Sequence, residues 1–431
     1  MSATTVSRVH AREVLDSRGQ PTVQVEVYNR DGSWGSAIVP AGASTGQAEA
    51  HELRDGDPAR YDGRGVLKAV AHVNHSLGPA LAGANPADQA TVDRLLCQLD
   101  GTPKKSQLGA NALLGVSLAV AHAAAAAARL PLYRHLHGLW QGVLRDAQLP
   151  PAPDCRMPLP MTNMISGGLH AGGNLDFQDF LIMPTGATSY RVGLEWIVRV
   201  HRRLGELLAT SGYEGRLVGD EGGFGPRLPS NRSAAEFVVR AIEAARLRPG
   251  DDVTIALDVA STHFFEAGRY RLRATGDEQL TNAQMIDQVA ALVEAFPIVS
   301  VEDALAEDDW EGWQELTRRL GDRVQLVGDD LFATNPERIR RGIELQAANA
   351  VLIKVNQIGT LSETLQAMAV ARSGGYRSVV SARSGETEDA TIADLAVATA
   401  ADQIKIGSIQ RSERLGKYNR LLAIEEQLGD R

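Results

Sequence analysis

Five ionisable residues, Asp258, Glu302, Asp329, Lys354 and Lys405, each close a short apolar run: "TIALD", "VSVE", "QLVGD", "AVLIK" and "DQIK". The steps between them are 44, 27, 25 and 51 residues, and the last spans two strands because "RSVVSAR" lies between. Each step suits one or two strand-helix units. A single acid at a strand end commonly caps a helix or sits in a solvated loop. Three acids on adjacent strands repel one another unless something positive lies among them. A salt-bridge cluster with Lys354 and Lys405 is one solution. A hard cation held by oxygen ligands is the other, with Mg2+ the first choice, and the clustering favours it. As a counter-ion Lys354 would stay protonated. Buried beside a dication it would lose its proton more readily and serve as a base. Lysine with carboxylate-bound Mg2+ suits proton removal alpha to a carboxylate, where the charge of an enediolate must be held.

Other stretches could complete such a reaction. "VGDEGGF" (residues 218–224) carries Glu221 in a glycine-flanked loop that is either a surface turn or a close approach to a ligand. "PAGASTG" (residues 40–46) is a small loop with Ser44 and Thr45, of a kind that closes over a phosphate or a metal. In "VVSARSGETED" (residues 379–389), Arg383 and Ser384 offer a charge and a hydroxyl to a phosphate. Ala382 sits just before them, a methyl group where a strand meets a polar loop.

These side chains need a frame that brings strand ends together. The first forty residues read as antiparallel strands, with "TVQVEVY" alternating, "NRDG" turning and "SWGSAIV" returning. Helical periodicity follows, so an α+β unit is expected over residues 1–140. The proline-rich stretch at 149–160 interrupts both patterns. Over residues 141–431 eight apolar runs recur, most followed by a helical stretch: "MPLPMTN", "QDFLIMP", "VTIALDVA", "IVSVEDA", "VQLVGDD", "AVLIKVNQ", "RSVVSAR" and "DQIKIG". That grammar is α/β and predicts a (β/α)8 barrel, whose active residues converge at the C-terminal strand ends. The first two runs follow one another with no helix between.

Composition narrows the class. A net charge of −9 argues against a general nucleic-acid binder, and 44% apolar with 23% charged residues is ordinary for a soluble globular chain. Two cysteines, Cys97 and Cys155, imply no disulfide framework and suit a cytoplasmic location. The N-terminus holds no apolar core of signal-peptide length. The run at 112–130 is alanine-dominated and broken by Ser117 and His122, which predicts a close-packed core helix and no membrane span.

Taken together, the strings resemble enolase, the phosphopyruvate hydratase family, along essentially the whole chain. They include "AREVLDSRGQPTVQVEV", "PAGASTG", "GANALLGVSLAVA", "GDEGGFGP", "LIKVNQIGTLSE" and "SGETEDATIADLAV". The resemblance implies an enolase-like barrel beginning β-β-α-α, under a smaller N-terminal α+β domain. It implies two Mg2+ ions, the first on Asp258, Glu302 and Asp329, the second arriving with substrate and positioned with help from Ser44. Lys354 would remove the alpha proton and Glu221 would act as general acid for the departing beta hydroxyl, with Asp179 beside it. Lys405 would contact the substrate carboxylate, Arg383 and Ser384 the phosphate, and His170 and Gln178 would line the site. A homodimer or higher homo-oligomer is implied, with a small phosphorylated carboxylate as substrate.

Departures from the family pattern gather near that site. "SHRSGETED" becomes "SARSGETED", so Ala382 replaces a histidine. The acid beside the general acid is Asp179 where glutamate is usual. Ala41, Ser166 and Ile406 replace other site-adjacent residues, and "EDPFDQDDW" becomes "EDALAEDDW". Metal ligands, base and phosphate binders are retained. The pattern is similar to a diverged branch, the carboxyphosphonoenolpyruvate synthases of phosphinothricin-type antibiotic biosynthesis, whose substrate carries an extra group on phosphorus. A phosphonoformyl donor would then be a second partner. A working glycolytic enolase and a non-catalytic enolase-fold scaffold are the alternatives.

Overall fold

In the computed structural model, which describes residues 4–42, 46 and 48–429, the chain opens with β1 (Val6–Leu15), β2 (Pro21–Asn29) and β3 (Trp34–Ile38), an antiparallel meander. The alternation in "TVQVEVY" has its physical effect here. Val23, Val25 and Val27 are fully buried on one face, and the intervening residues are half-buried on the other. The helix Ala110–Ala128 covers the buried face. Its small residues let the backbones come close. A Cβ on Gly35 would stand 2.2 Å from the backbone N of Ala123, and one on Gly115 would stand 2.6 Å from Val25 Cγ2. This helix has the length and hydropathy of a membrane span, but 83% of its apolar window is buried inside the protein. It is the core helix that its alanines predict. The helix Leu132–Asp146 runs through residue 140 and packs against the helix Thr391–Ala398, where Asp394 Oδ1 accepts from Tyr133 N at 3.0 Å.

The second part is a closed barrel. Its strands are β4 (Leu159–Ser166), β5 (Asp179–Met183) and β6 (Thr254–Asp258). After a small antiparallel excursion, β7 (Phe265–Glu266), β8 (Arg269–Leu272) and β9 (Glu278–Leu280), come β10 (Ile298–Glu302), β11 (Gln325–Gly328), β12 (Ala350–Ile353), β13 (Arg377–Ser381) and β14 (Gln403–Gly407). The closed order is β10-β11-β12-β13-β14-β4-β5-β6. All eight runs read as strands are barrel strands. No α-helix separates β4 from β5, while the helices Tyr190–Thr210 and Asn231–Ala244 both precede β6, so the barrel begins β-β-α-α. In consequence β5 is antiparallel to both neighbours, and every other pairing in the barrel is parallel. It therefore presents its first residue, Asp179, at the end where its neighbours present their last.

Inside the barrel Met161, Leu181, Ala256, Val327, Leu352 and Val379 form a separate apolar cluster. Side chains alternate along a strand, so the residue two positions further up each strand points to the same interior. Those residues are Asn163, Asp258, Asp329, Lys354 and Ser381, with Asp179 reached in the reverse direction along β5. An apolar floor two residues below thus carries a polar mouth. The β7–β9 excursion has no counterpart in the sequence reading, because strands of two to four residues show no measurable periodicity.

Candidate active site

Register sets the first layer. Asp179 pairs with Asp258 across β5 and β6, and Asp258 with Glu302 across β6 and β10. Three buried carboxylates therefore stand side by side, and Asp329 follows just beyond β11. Lys405 Nζ donates to Asp258 Oδ2 at 2.6 Å and to Glu302 Oε2 at 2.8 Å. Lys354 Nζ donates to Asp329 Oδ2, and Gln178 Nε2 to Asp258 Oδ2 at 3.1 Å. Gln357 Nε2 donates to Asp329 Oδ1 at 2.9 Å. The two lysines thus form the salt-bridge cluster that was the alternative to a metal.

The electrostatics show how poorly that cluster is balanced. Burial, with Asp258 next, pushes the Glu302 carboxyl up to about 8 despite Lys405. Its Oε1 is buried and has no hydrogen-bond partner among the described residues. An orphaned carboxylate oxygen in an all-oxygen donor set fits a hard dication such as Mg2+. Asp258, Glu302 and Asp329 are acids that could hold it, and Asp303 and Asp330 bring carboxylate oxygens within 4.8 Å of Asp329. Asp303, itself on the cavity wall, holds the turn that carries Asp329, its carboxylate accepting from Asp329 N at 2.9 Å and Asp330 N at 2.8 Å. Burial lowers Lys354, but Asp329 outweighs it and raises the ammonium above its ordinary range. The expected loss of its proton is therefore not obtained while Asp329 is its partner.

On the opposite side His170 lies between two acids. Its Nδ1 is 2.9 Å from Asp179 Oδ2 and its Nε2 3.8 Å from Glu221 Oε1. Burial opposes the charge, but Asp179 and Glu221 carry the imidazole up to about 9. Burial also opposes the Glu221 charge, yet His170, Arg414, Lys405 and Lys354 hold its carboxyl down to about 2. The proton of this pair accordingly resides on His170. Asn163 Nδ2 donates to Asp179 Oδ1 and fixes the far end of the relay.

The third wall comes from the loop after β13. Arg383 is buried, with Nη1 donating to Glu49 Oε2 at 3.2 Å and Asn356 Oδ1 at 2.8 Å. Ser384 Oγ accepts from Arg18 Nη1 at 3.3 Å. Fully buried Arg414 donates to the carbonyls of Arg383, Ser384 and Ile406 and so sets the loop. One cavity is lined by His170, Glu221, Asp258, Lys354, Arg383 and Lys405, together with Gln178, Asp329 and Ser384. Ala382 is part of its wall.

The site residues singled out in the sequence and described here line this cavity, except Asp179 and Glu302, which stand behind it in contact with His170 and Lys405. Ser44 lies outside the described residues. The sequence reading missed Asp303, Asp330, His263, Asn163 and Glu49. The doubled acids "ED" and "DD" at two strand ends pointed to the first two, and the polar end of "MPLPMTN" to Asn163. Nothing local marks Glu49 or His263.

An eight-stranded barrel with a β-β-α-α start and an acid-and-lysine mouth, joined to an α+β unit, defines the enolase-type architecture. Family models bear this out, one described as "Enolase, N-terminal domain" matching residues 6–136 and one as "Enolase, C-terminal TIM barrel domain" matching residues 154–431. The chain belongs to the enolase family. At that level it is an Mg2+-dependent enolase-like enzyme of lyase type.

Proposed function

We propose that this enzyme forms an enolpyruvate-type product from a 2-phosphoglycerate-type substrate whose phosphorus bears an additional carboxyl group, the chemistry of a carboxyphosphonoenolpyruvate synthase. The observation that carries this reading is Ala382. A methyl lies in the cavity wall next to Arg383 and Ser384, where the family pattern has an imidazole. The acids, the lysine base and the phosphate-binding pair are kept. Removing an imidazole there frees volume and one cationic group at the phosphorus end, and a larger phosphorus substituent needs that room.

Bound Mg2+ would supply positive charge that stabilises an enediolate. Asp258, Glu302 and Asp329 would hold it. Lys354 Nζ takes the alpha proton once Asp329 no longer engages it. The His170–Glu221 pair returns a proton to the departing beta hydroxyl, from an imidazolium held charged by Asp179. Lys405 orients the carboxylate, and Arg383 and Ser384 hold the phosphorus end. Asp179 is one methylene shorter than glutamate, which resets the distance to His170 on which the elimination half depends. Two unpaired cysteines support a cytoplasmic setting.

The test is an Mg2+-dependent assay with 2-phosphoglycerate, run on the unmodified protein and on Ala382→His. Slow or absent elimination by the former and a gain by the latter is expected. Efficient turnover by the unmodified protein refutes the substituted-phosphorus reading. It would favour ordinary glycolytic enolase chemistry, which the intact Lys354, Glu221, Arg383 and Ser384 also support.

A further inference from the structure

Nearly every donor in the cavity wall is already committed to the protein itself. Lys405 serves Asp258 and Glu302, Lys354 serves Asp329, His170 serves Asp179, and Arg383 serves Glu49 and Asn356. His263 is different. Its ring lines the same cavity and makes no hydrogen bond or ion pair with any described residue. It is also solvent-exposed, and so reachable by a ligand entering the mouth.

The backbone that carries it is well held. Ser261 N donates to Asp303 O at 3.1 Å, and Thr262 Oγ1 accepts from Glu307 N at 3.1 Å. On the other side Phe265 lies against the fully buried Tyr270, ring centroids 4.7 Å apart. Tyr270 in turn ties the excursion to the next loop, its hydroxyl accepting from Ala306 N at 3.0 Å and donating to Asp309 Oδ2 at 3.3 Å. The anchoring partners Ala306 and Glu307 belong to "EDALAEDDW", one of the stretches that departs from the family pattern. A fixed turn thus presents an imidazole with no protein partner to the cavity, where both ring nitrogens can meet a ligand atom.

We infer that His263 is a substrate-binding, specificity-determining residue that contacts the anionic substituent on the substrate's phosphorus. Its imidazole, supplied from the turn after β6, lines the same cavity as Ala382 and would meet the substituent that occupies the room Ala382 leaves. This assignment rests on the proposed phosphorus-substituted substrate.

Two small probes separate the possibilities. Phosphonoformate carries a carboxylate on phosphorus, and inorganic phosphate does not. Calorimetric titration of both, with Mg2+, into the unmodified protein, His263→Ala and His263→Gln reads the contact directly. The unmodified protein is expected to prefer phosphonoformate. His263→Ala should lose about tenfold or more of that affinity while holding phosphate as before, and His263→Gln, which can still donate, should recover part of the loss. Unchanged phosphonoformate affinity in His263→Ala overturns the inference, as does an unmodified protein that binds neither probe. If the unmodified protein binds the two probes alike, the substituted-substrate reading fails. His263 is then judged on alpha-proton exchange from 2-phosphoglycerate: a KM raised about tenfold in His263→Ala supports the contact, and an unchanged KM, or a fall in kcat alone, refutes it.

Discussion

Replacing Asp179 by Asn removes one charge from the site and leaves its volume nearly unchanged. Asp179 is the nearer of the two acids that hold the His170 imidazole charged, at 2.9 Å against 3.8 Å for Glu221. Between the ordinary 6.5 and about 9, at 1.36 kcal/mol per unit, the charged form gains about 3 kcal/mol. The folded value lies above the unfolded one. The stabilisation is therefore fully present below about pH 6.5 and is lost as pH rises through about 9. Without the Asp179 charge, burial competes with Glu221 and the weaker pull of Asp258, and the midpoint should fall toward 6.5 or below. The assay is an NMR titration of the His170 Cε1–H in protein stripped of metal, assigned by its disappearance in His170→Gln. Urea unfolding at pH 6 and pH 9 gives the thermodynamic counterpart. The unmodified protein should lose up to about 3 kcal/mol across that window, and Asp179→Asn clearly less. An imidazole titrating near 6.5 in the unmodified protein, or one that Asp179→Asn does not move, refutes the reasoning.

Three further outcomes follow from the same geometry. Glu302→Gln keeps the shape of the ligand set and should weaken Mg2+ by at least tenfold in calorimetry, since even second-sphere partners are worth about that much; an unchanged Kd would make the three acids a salt-bridge cluster only. Lys354→Met should slow alpha-proton exchange from 2-phosphoglycerate by about 10²-fold or more while Mg2+ still binds, and normal exchange would assign the base elsewhere. Gly35→Ala sets a Cβ 2.2 Å from the backbone N of Ala123. It should lower the urea midpoint by the equivalent of about 1–3 kcal/mol, with Mg2+ affinity untouched, and an unchanged midpoint would mean that the sheet-helix contact has slack.

The barrel and its mouth were legible because two simple rules coincide. Period-two alternation keeps one face apolar, and chemistry sits where that face ends, so "TIALD" and "AVLIK" announce both strand and site residue. The reversed β5 was foreshadowed by the missing helix before "QDFLIMP", and it alone explains why Asp179, at a strand beginning, joins Asp258 at a strand end. What the sequence hides is pairing between distant loops. Arg18 reaches Ser384 across 366 positions and Arg383 reaches Glu49 across 334, with no local pattern in either case. His263 sits in a turn before strands too short to show periodicity. The reading proposed for Ala382 rests on family resemblance, since an alanine by itself carries no chemistry.

The two readings of the strand-end acids, salt bridges or metal, are less opposed than they looked from the sequence. Fully ionised, three carboxylates and two ammoniums would carry one surplus negative charge in a buried place. Burial first and Asp258 next push the Glu302 carboxyl up to about 8, so near neutrality it holds a proton, while its Oε1 stays unpartnered. A cluster selected for stability alone would have a neutral count or an apolar replacement, because buried ion pairs barely repay their desolvation. A bound dication would bring the fully ionised count to one positive charge, and Lys354 and Lys405 would then be free of the acids. The freed ammoniums and the surplus charge then suit a substrate that arrives with a carboxylate and a charged phosphorus group. On the proposed function the lysines would serve the acids in one state and the substrate in the other, and the imbalance between those states would favour binding of the anion.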